Sequence, residues 1–156
     1  NRANNALELA KAIEYASNYD NKILIEEKIN GREIECAVLG NEEVEASCLG
    51  EILAAEEFYT FSAKYQNQES KTVMPADLPE NLSNEVRNLA KKAYKAADCK
   101  GLSRVDFFVD DKNNKIYINE INTMPGFTQI SMYPKLWEKS GMKYTELLDK
   151  LISLAY

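Results

Sequence analysis

Ser103-Arg-Val-Asp-Phe-Phe-Val-Asp-Asp-Lys-Asn-Asn-Lys-Ile-Tyr-Ile-Asn-Glu-Ile-Asn-Thr-Met-Pro-Gly-Phe-Thr-Gln-Ile-Ser-Met-Tyr-Pro134 is the stretch that decides the fold. Two β-rich runs, Ser103–Val109 and Lys115–Asn122, flank the polar cluster Asp111-Lys-Asn-Asn, the pattern of a hairpin. A three-residue loop, Lys112 to Asn114, sets Asp111 opposite Lys115, Asp106 opposite Glu120 and Arg104 opposite Asn122. All four site candidates then fall on one face, because side chains alternate along a strand. Two acids directly across a hairpin repel, so something positive belongs between them. A divalent cation is one answer, since two carboxylates and an amide oxygen make a hard, incomplete shell that waters and phosphates complete. A surface hairpin with solvated acids is the other. A two- or four-residue loop shifts the register by one and parts Asp106 from Glu120.

The next residues favour the first answer. Pro125-Gly126 is a turn dipeptide, and Gly126 can bring its backbone N–H close to a ligand because no side chain intervenes. Ser131 opens an amphipathic segment, and a serine N-cap with unpaired N–H groups behind it suits a carboxylate or phosphate. An ordinary loop and helix cap would look the same in isolation.

Outward from this centre, the pattern is that of helices packed on antiparallel strands. Asn4 or Asn5 caps a helix reaching about Ser17, with Ala6, Leu7, Ala10, Ile13 and Ala16 at helical spacing. Lys22–Ile29 reads as a strand, Asn30-Gly31 as a hairpin turn, and Arg32–Leu39 as the partner strand. Gly40-Asn41 ends it, and Glu43–Cys48 and Glu51–Ala54 suggest two more strands. From Glu56 to Pro79 a long polar stretch has the character of a functional loop. A helix begins at Ser83, carries Val86, Leu89, Ala90, Ala93, Tyr94 and Ala97 on one face, and stops near Asp98. Two helices close the chain, one from Ser131 and one from about Tyr144. The expected fold is α+β, a mostly antiparallel sheet with packed helices.

Composition narrows the chemistry. The 156 residues fit one compact unit, and a net charge of −6 argues against a nucleic-acid partner. No apolar run approaches the ~20 residues that span a bilayer, and no signal peptide opens the chain. Three cysteines without metal-site spacing, Cys36, Cys48 and Cys99, fit reduced thiols in the cytoplasm. With no histidine, imidazole acid–base chemistry and His-based zinc centres are excluded.

Arg104-Val-Asp-Phe-Phe, Tyr117-Ile-Asn-Glu-Ile-Asn-Thr-Met-Pro-Gly-Phe-Thr and Ser131-Met-Tyr-Pro together resemble the C-terminal signature of the D-alanine–D-alanine ligases, within the ATP-grasp superfamily. The resemblance implies ATP and Mg²⁺ or Mn²⁺, two ions, with Asp106, Glu120 and Asn122 as metal ligands. It implies that Glu26, Lys28 and Ile29 line the adenine site, that Glu33 meets the ribose, and that Phe58, Phe108 and Asn119 surround the purine. Lys64 would reach the phosphates from a mobile loop, and Tyr65 would face the substrate. Tyrosine there resembles the D-Ala–D-Ala enzymes, whereas depsipeptide-forming relatives commonly carry histidine. Arg104 and the Gly126 N–H would meet the acyl phosphate and oxyanion; Ser131 and Met132 would hold the second substrate's carboxylate.

The reaction so implied joins two D-alanines for peptidoglycan synthesis in the cytoplasm. Residues 1–55 would be the remainder of a central ATP-grasp subdomain and 56–156 the catalytic one. The family's N-terminal domain, two ATP-contacting lysines and a Gly-Ser-Ser loop have no counterpart here. The chain is therefore expected to be the C-terminal half of a ligase, inactive alone, whose partners are ATP, D-alanine and the remaining regions; a homodimer is admitted. D-alanine–D-lactate and D-alanine–D-serine ligases are the alternatives within the superfamily. A non-catalytic nucleotide- or metal-binding module and an acidic interaction domain are those outside it.

Overall fold

In a computed structural model, which describes residues 1–53, 71–128 and 130–156 (Lys71 by its backbone alone), five antiparallel strands form one sheet in the order β3-β2-β1-β4-β5. They are β1 (Arg32–Gly40), β2 (Val44–Leu53), β3 (Lys71–Val73), β4 (Gly101–Asp110) and β5 (Lys115–Asn122). The expected α+β architecture is present. β1 lies at the centre because its apolar run, Cys36 to Leu39, is buried on both faces, as only an interior strand can be.

Among the described residues four helices accompany the sheet: α1 (Ala6–Ala16), α2 (Glu80–Ala96), α3 (Met132–Lys139) and α4 (Tyr144–Leu154). Helix α2 buries Leu82, Val86, Ala90, Ala93 and Tyr94 against Ile34, Cys36, Val38, Leu49, Val105, Phe107 and Val109 on one sheet face. On the other face Met132, Tyr133, Leu136 and Trp137 of α3, with Leu147 of α4, cover Ala37 and Leu39. Tyr94 and Tyr133 each donate a buried hydroxyl to β1, at Gly40 O (2.7 Å) and Val38 O (3.0 Å). Buried phenols find a partner in this way because an unbonded hydroxyl away from water is costly. Helix α1 has its expected cap, Asn5 Oδ1 accepting from Glu8 N at 3.0 Å, and buries no residue. No helix among the described residues is long and apolar enough to cross a membrane.

Several elements differ from the sequence reading. Residues 22–30 form no strand, and Asn30-Gly31 turns no hairpin. Both edges of β1 are already paired, one with β2 and one with β4, so a preceding strand has no ladder to join. Helix α2 starts at Glu80 rather than Ser83, immediately after Pro79, whose fixed φ suits a helix entry. The two expected strands after Gly40 are one strand, β2. The gap expected between them holds Gly50, which serves close approach: a Cβ there would lie 2.4 Å from Met132 Cε and 2.9 Å from Leu136 Cδ2. Gly50→Val is accordingly expected to lift α3 off the sheet at a cost of about 1–3 kcal/mol, read as a lowered denaturant midpoint at constant m-value.

Candidate active site

The hairpin brings Asp106 opposite Glu120 and Arg104 opposite Asn122, the pairing the sequence led us to expect, but by another route. The turn holds four residues, 111–114, with Asp110 opposite Lys115. Asp110 closes it by accepting from Asn113 N (3.2 Å) and Nδ2 (2.7 Å), and Asn114 takes the left-handed φ of 50° that asparagine tolerates. Uncorrected, that register would set Asn119 against Asp106. A β-bulge between Asp106 and Phe107 absorbs one extra residue on β5 and returns Glu120 to the facing position.

On this face Arg104 binds Asp106 with two parallel bonds, Nε to Oδ1 at 2.8 Å and Nη2 to Oδ2 at 2.7 Å. Asn122 Nδ2 donates at 3.0 Å to both Asp106 Oδ2 and Glu120 Oε1. One amide nitrogen thus gathers the two carboxylates, so their oxygens converge. A residue missed in the sequence completes the cluster. Glu35 of β1 stands directly across from Asp106, with Oε2 3.3 Å from Arg104 Nε, and is only 5% exposed. Alternation along Arg32–Gly40 put Glu33 and Glu35 on one face; that β1 pairs with β4 lies in no local pattern.

Three acids, Glu35, Asp106 and Glu120, act on the Arg104 guanidinium. Burial and then the neighbouring Glu120 push the Asp106 carboxyl above its ordinary value, while Arg104 works to lower it. Burial likewise opposes the charge on Arg104, yet the bond to Asp106 and the fields of Glu35, Asp106 and Glu120 raise its pKa above the usual guanidinium range. Among the described residues no three acid, cysteine or histidine side chains stand in metal-binding geometry, so the available shell is two carboxylates and an amide. Hard oxygens and their convergence fit a divalent cation that retains waters and takes phosphate oxygens. Fitting it requires the Asn122 amide turned to present Oδ1, and Asp106 shared between the cation and Arg104.

The remaining expected residues fall into further groups. Glu33 lies opposite Phe108, on the same face as Glu35 and Asp106, and Phe108 opposite Tyr117. Asn119 is exposed beside the bulge. Glu26 and Lys28 are exposed and Ile29 half-buried, on the unpaired run before β1. Phe58, Lys64 and Tyr65 lie outside the described residues. Gly126 is exposed next to Ser131, where a Cβ would come within 3.0 Å of the serine Oγ. Ser131 precedes α3 but does not cap it with its side chain. Its Oγ accepts from Thr128 N at 2.9 Å and lies 2.8 Å from Thr128 Oγ1, so it braces the loop instead. Met132 is buried at the first position of α3. Phe127 anchors the same loop, its ring 5.6 Å from Tyr133 and 5.7 Å from Tyr144.

An antiparallel sheet with helices on both faces, bearing this arginine–carboxylate cluster, is the architecture of a ligase's C-terminal domain. The D-alanine–D-alanine ligase of Coxiella burnetii matches it with a TM-score of 0.85 and 43% identity, over 99% of this chain and 40% of that one. VanG D-Ala:D-Ser ligase from Enterococcus faecalis matches with a TM-score of 0.85 and 39% identity, over 97% and 44%. A Bacillus anthracis D-alanine–D-alanine ligase complexed with ATP gives 0.79 and 31%, over 97% and 47%. The chain belongs to the family described as D-ala D-ala ligase C-terminus, which matches residues 1–153. Among curated relatives, the D-alanine–D-alanine ligase of Acetivibrio thermocellus is 60% identical over 99% of this chain and 41% of its own length. The chain thus spans about two fifths of the relatives it matches.

Proposed function

We propose that this chain supplies the catalytic half of an ATP-dependent ligase that joins two D-alanines into D-alanyl-D-alanine for peptidoglycan synthesis in the cytoplasm. The observation that carries this reading is the convergence of Asp106, Glu120 and Asn122 beside the fork of Arg104. The carboxylate of the first D-alanine attacks the γ-phosphorus of ATP, and ADP leaves. The amine of the second then attacks the acyl phosphate, an amide forms, and inorganic phosphate leaves. Neither step needs a protein nucleophile; both need alignment and neutralised charge.

Asp106, Glu120 and Asn122 would hold Mg²⁺ or Mn²⁺, two ions, which when bound would supply Lewis-acid charge neutralisation at the phosphates. Arg104 commits Nε and Nη2 to Asp106, so its Nη1 donors are the pair that an acyl-phosphate oxygen would meet. The Gly126 N–H would add a donor to the oxyanion, a contact whose loss typically costs ~3–4 kcal/mol. With the Ser131 hydroxyl engaged by Thr128, the second substrate's carboxylate would be held by that bracketed hydroxyl and the backbone at Met132. Glu33, Phe108 and Asn119 would border the nucleotide with Glu26, Lys28, Ile29 and Phe58, and Lys64 and Tyr65 would close on phosphates and substrate. A division of the domain near residue 55 and a homodimer of the complete protein belong to the same reading.

The likeness to a D-Ala:D-Ser ligase supplies the second reading, with D-serine as the second amine substrate. Phosphate release by the full-length protein with ATP and Mg²⁺, given D-alanine, D-serine or D-lactate, tests both readings. Turnover is expected with D-alanine alone; a rate raised by D-serine would favour the second reading, and no release with any of the three would sink the ligase assignment.

A further inference from the structure

Asp106 has two competing partners. Both its oxygens accept from Arg104 in the structure, yet a cation held as described above takes at least one of them. Arg104 would then stand in a largely buried position, its side chain 18% exposed, with its bonds to Asp106 weakened by the cation beside them. A buried guanidinium in that state is costly unless another anion receives it. Glu35 is placed to do so. It stands on the opposite side of Arg104 from β5, on a strand paired along both edges whose backbone has little freedom to drift. Its Oε2 lies 3.3 Å from Arg104 Nε, while the single Nε–H is spent on Asp106 Oδ1. A charge-assisted N–H···O bond closes to about 2.7–2.9 Å, so this ionic contact has room to tighten once Nε–H is released.

Resting on the ligase reading, we propose that Glu35 is the positioning residue that takes over Arg104 when a divalent cation claims Asp106. Arg104 exchanges one buried acid for another, and its charge stays beside the reacting phosphate instead of competing for a metal ligand.

The test uses the full-length protein with a non-hydrolysable ATP analogue, and reads cation binding directly. Mn²⁺ affinity, followed by electron paramagnetic resonance of the free ion, is expected to fall about 10- to 100-fold in Glu35→Gln, as for other residues that orient a metal ligand. Glu35→Asp, which keeps the charge at shorter reach, should recover part of that loss and serves if the glutamine variant does not fold. In the wild type the Arg104 Nε–H resonance should shift on saturation with Mg²⁺, and in Glu35→Gln it should not. Unchanged Mn²⁺ affinity in folded Glu35→Gln overturns the proposal, even if its melting temperature drops, since glutamate would then be merely structural. Weakened Mn²⁺ binding with an unmoved wild-type Arg104 resonance also overturns it, leaving only a distant charge effect. A wild-type protein that binds neither Mn²⁺ nor the analogue would instead remove the ligase reading on which the proposal stands.

Discussion

Arg104→Met is expected to lower the melting temperature by on the order of 10 °C and the kcat of the complete ligase about 10²- to 10³-fold. The stability loss follows from burial. Asp106 and Glu35 have side chains only 6% exposed, and removing the guanidinium takes a countercharge from both acids. Breaking a buried pair by deleting one partner costs about 3–5 kcal/mol, and a chain of this size moves roughly 2–4 °C per kcal/mol. The rate loss is that of a missing oxyanion donor. The pH dependence has a defined sign. Burial already holds Asp106 above its ordinary value, and without Arg104 it rises further. An acid whose folded pKa exceeds its unfolded one, about 3.9, stabilises the fold fully only below the unfolded value. Its contribution is lost as pH climbs through the folded value. Melting curves should therefore show the deficit of Arg104→Met shrinking between pH 7 and pH 4.5. A deficit that grows on acidification would count against this account of the cluster.

Glu120→Gln is expected to do the reverse, sparing the fold and removing the chemistry. Glu120 is exposed, near the end of an edge strand, and glutamine preserves its shape and its bond to Asn122. Its charge also contributes to raising the Asp106 pKa, so its loss relieves repulsion and thermal stability should hold or rise slightly. The complete enzyme loses one of two carboxylates in the proposed cation site. A Lewis-acid contribution of several kcal/mol corresponds to about a 10²- to 10³-fold fall in metal-dependent ATP turnover. Steady-state phosphate release across a Mg²⁺ titration measures it. Wild-type-like turnover in a folded Glu120→Gln protein would reject Glu120 as a ligand.

What was legible in the sequence was local. The hairpin 103–122 and its facing acids follow from alternation and turn chemistry within twenty residues. The helices announced themselves by period and, at Asn5, by a cap. The bulge was not legible, because an extra residue on one strand leaves no mark on a polar–apolar pattern that is already mixed at Asn119 and Glu120. Lys22–Ile29 looked like a strand since it is rich in β-branched residues, but strand formation needs a free edge, and β1 offered none. The close approach at Gly50 escaped because the helix that presses on it comes more than eighty residues later. Ser131 read as a cap, and the Thr128 N–H won its oxygen. Glu35 escaped for the same reason as Gly50: its partner is across the sheet, not along the chain.

The order of strands also separates what is fixed from what yields. Glu35 and Arg104 ride on adjacent inner strands, whereas Glu120 and Asn122 ride on the outermost, beside an irregular rung and bonded along one side only. A cage built this way is rigid at its back wall and compliant at its lip. In the proposed site, ions of somewhat different radius would be met by small excursions of the rim, while the backbone of the inner strands keeps its place.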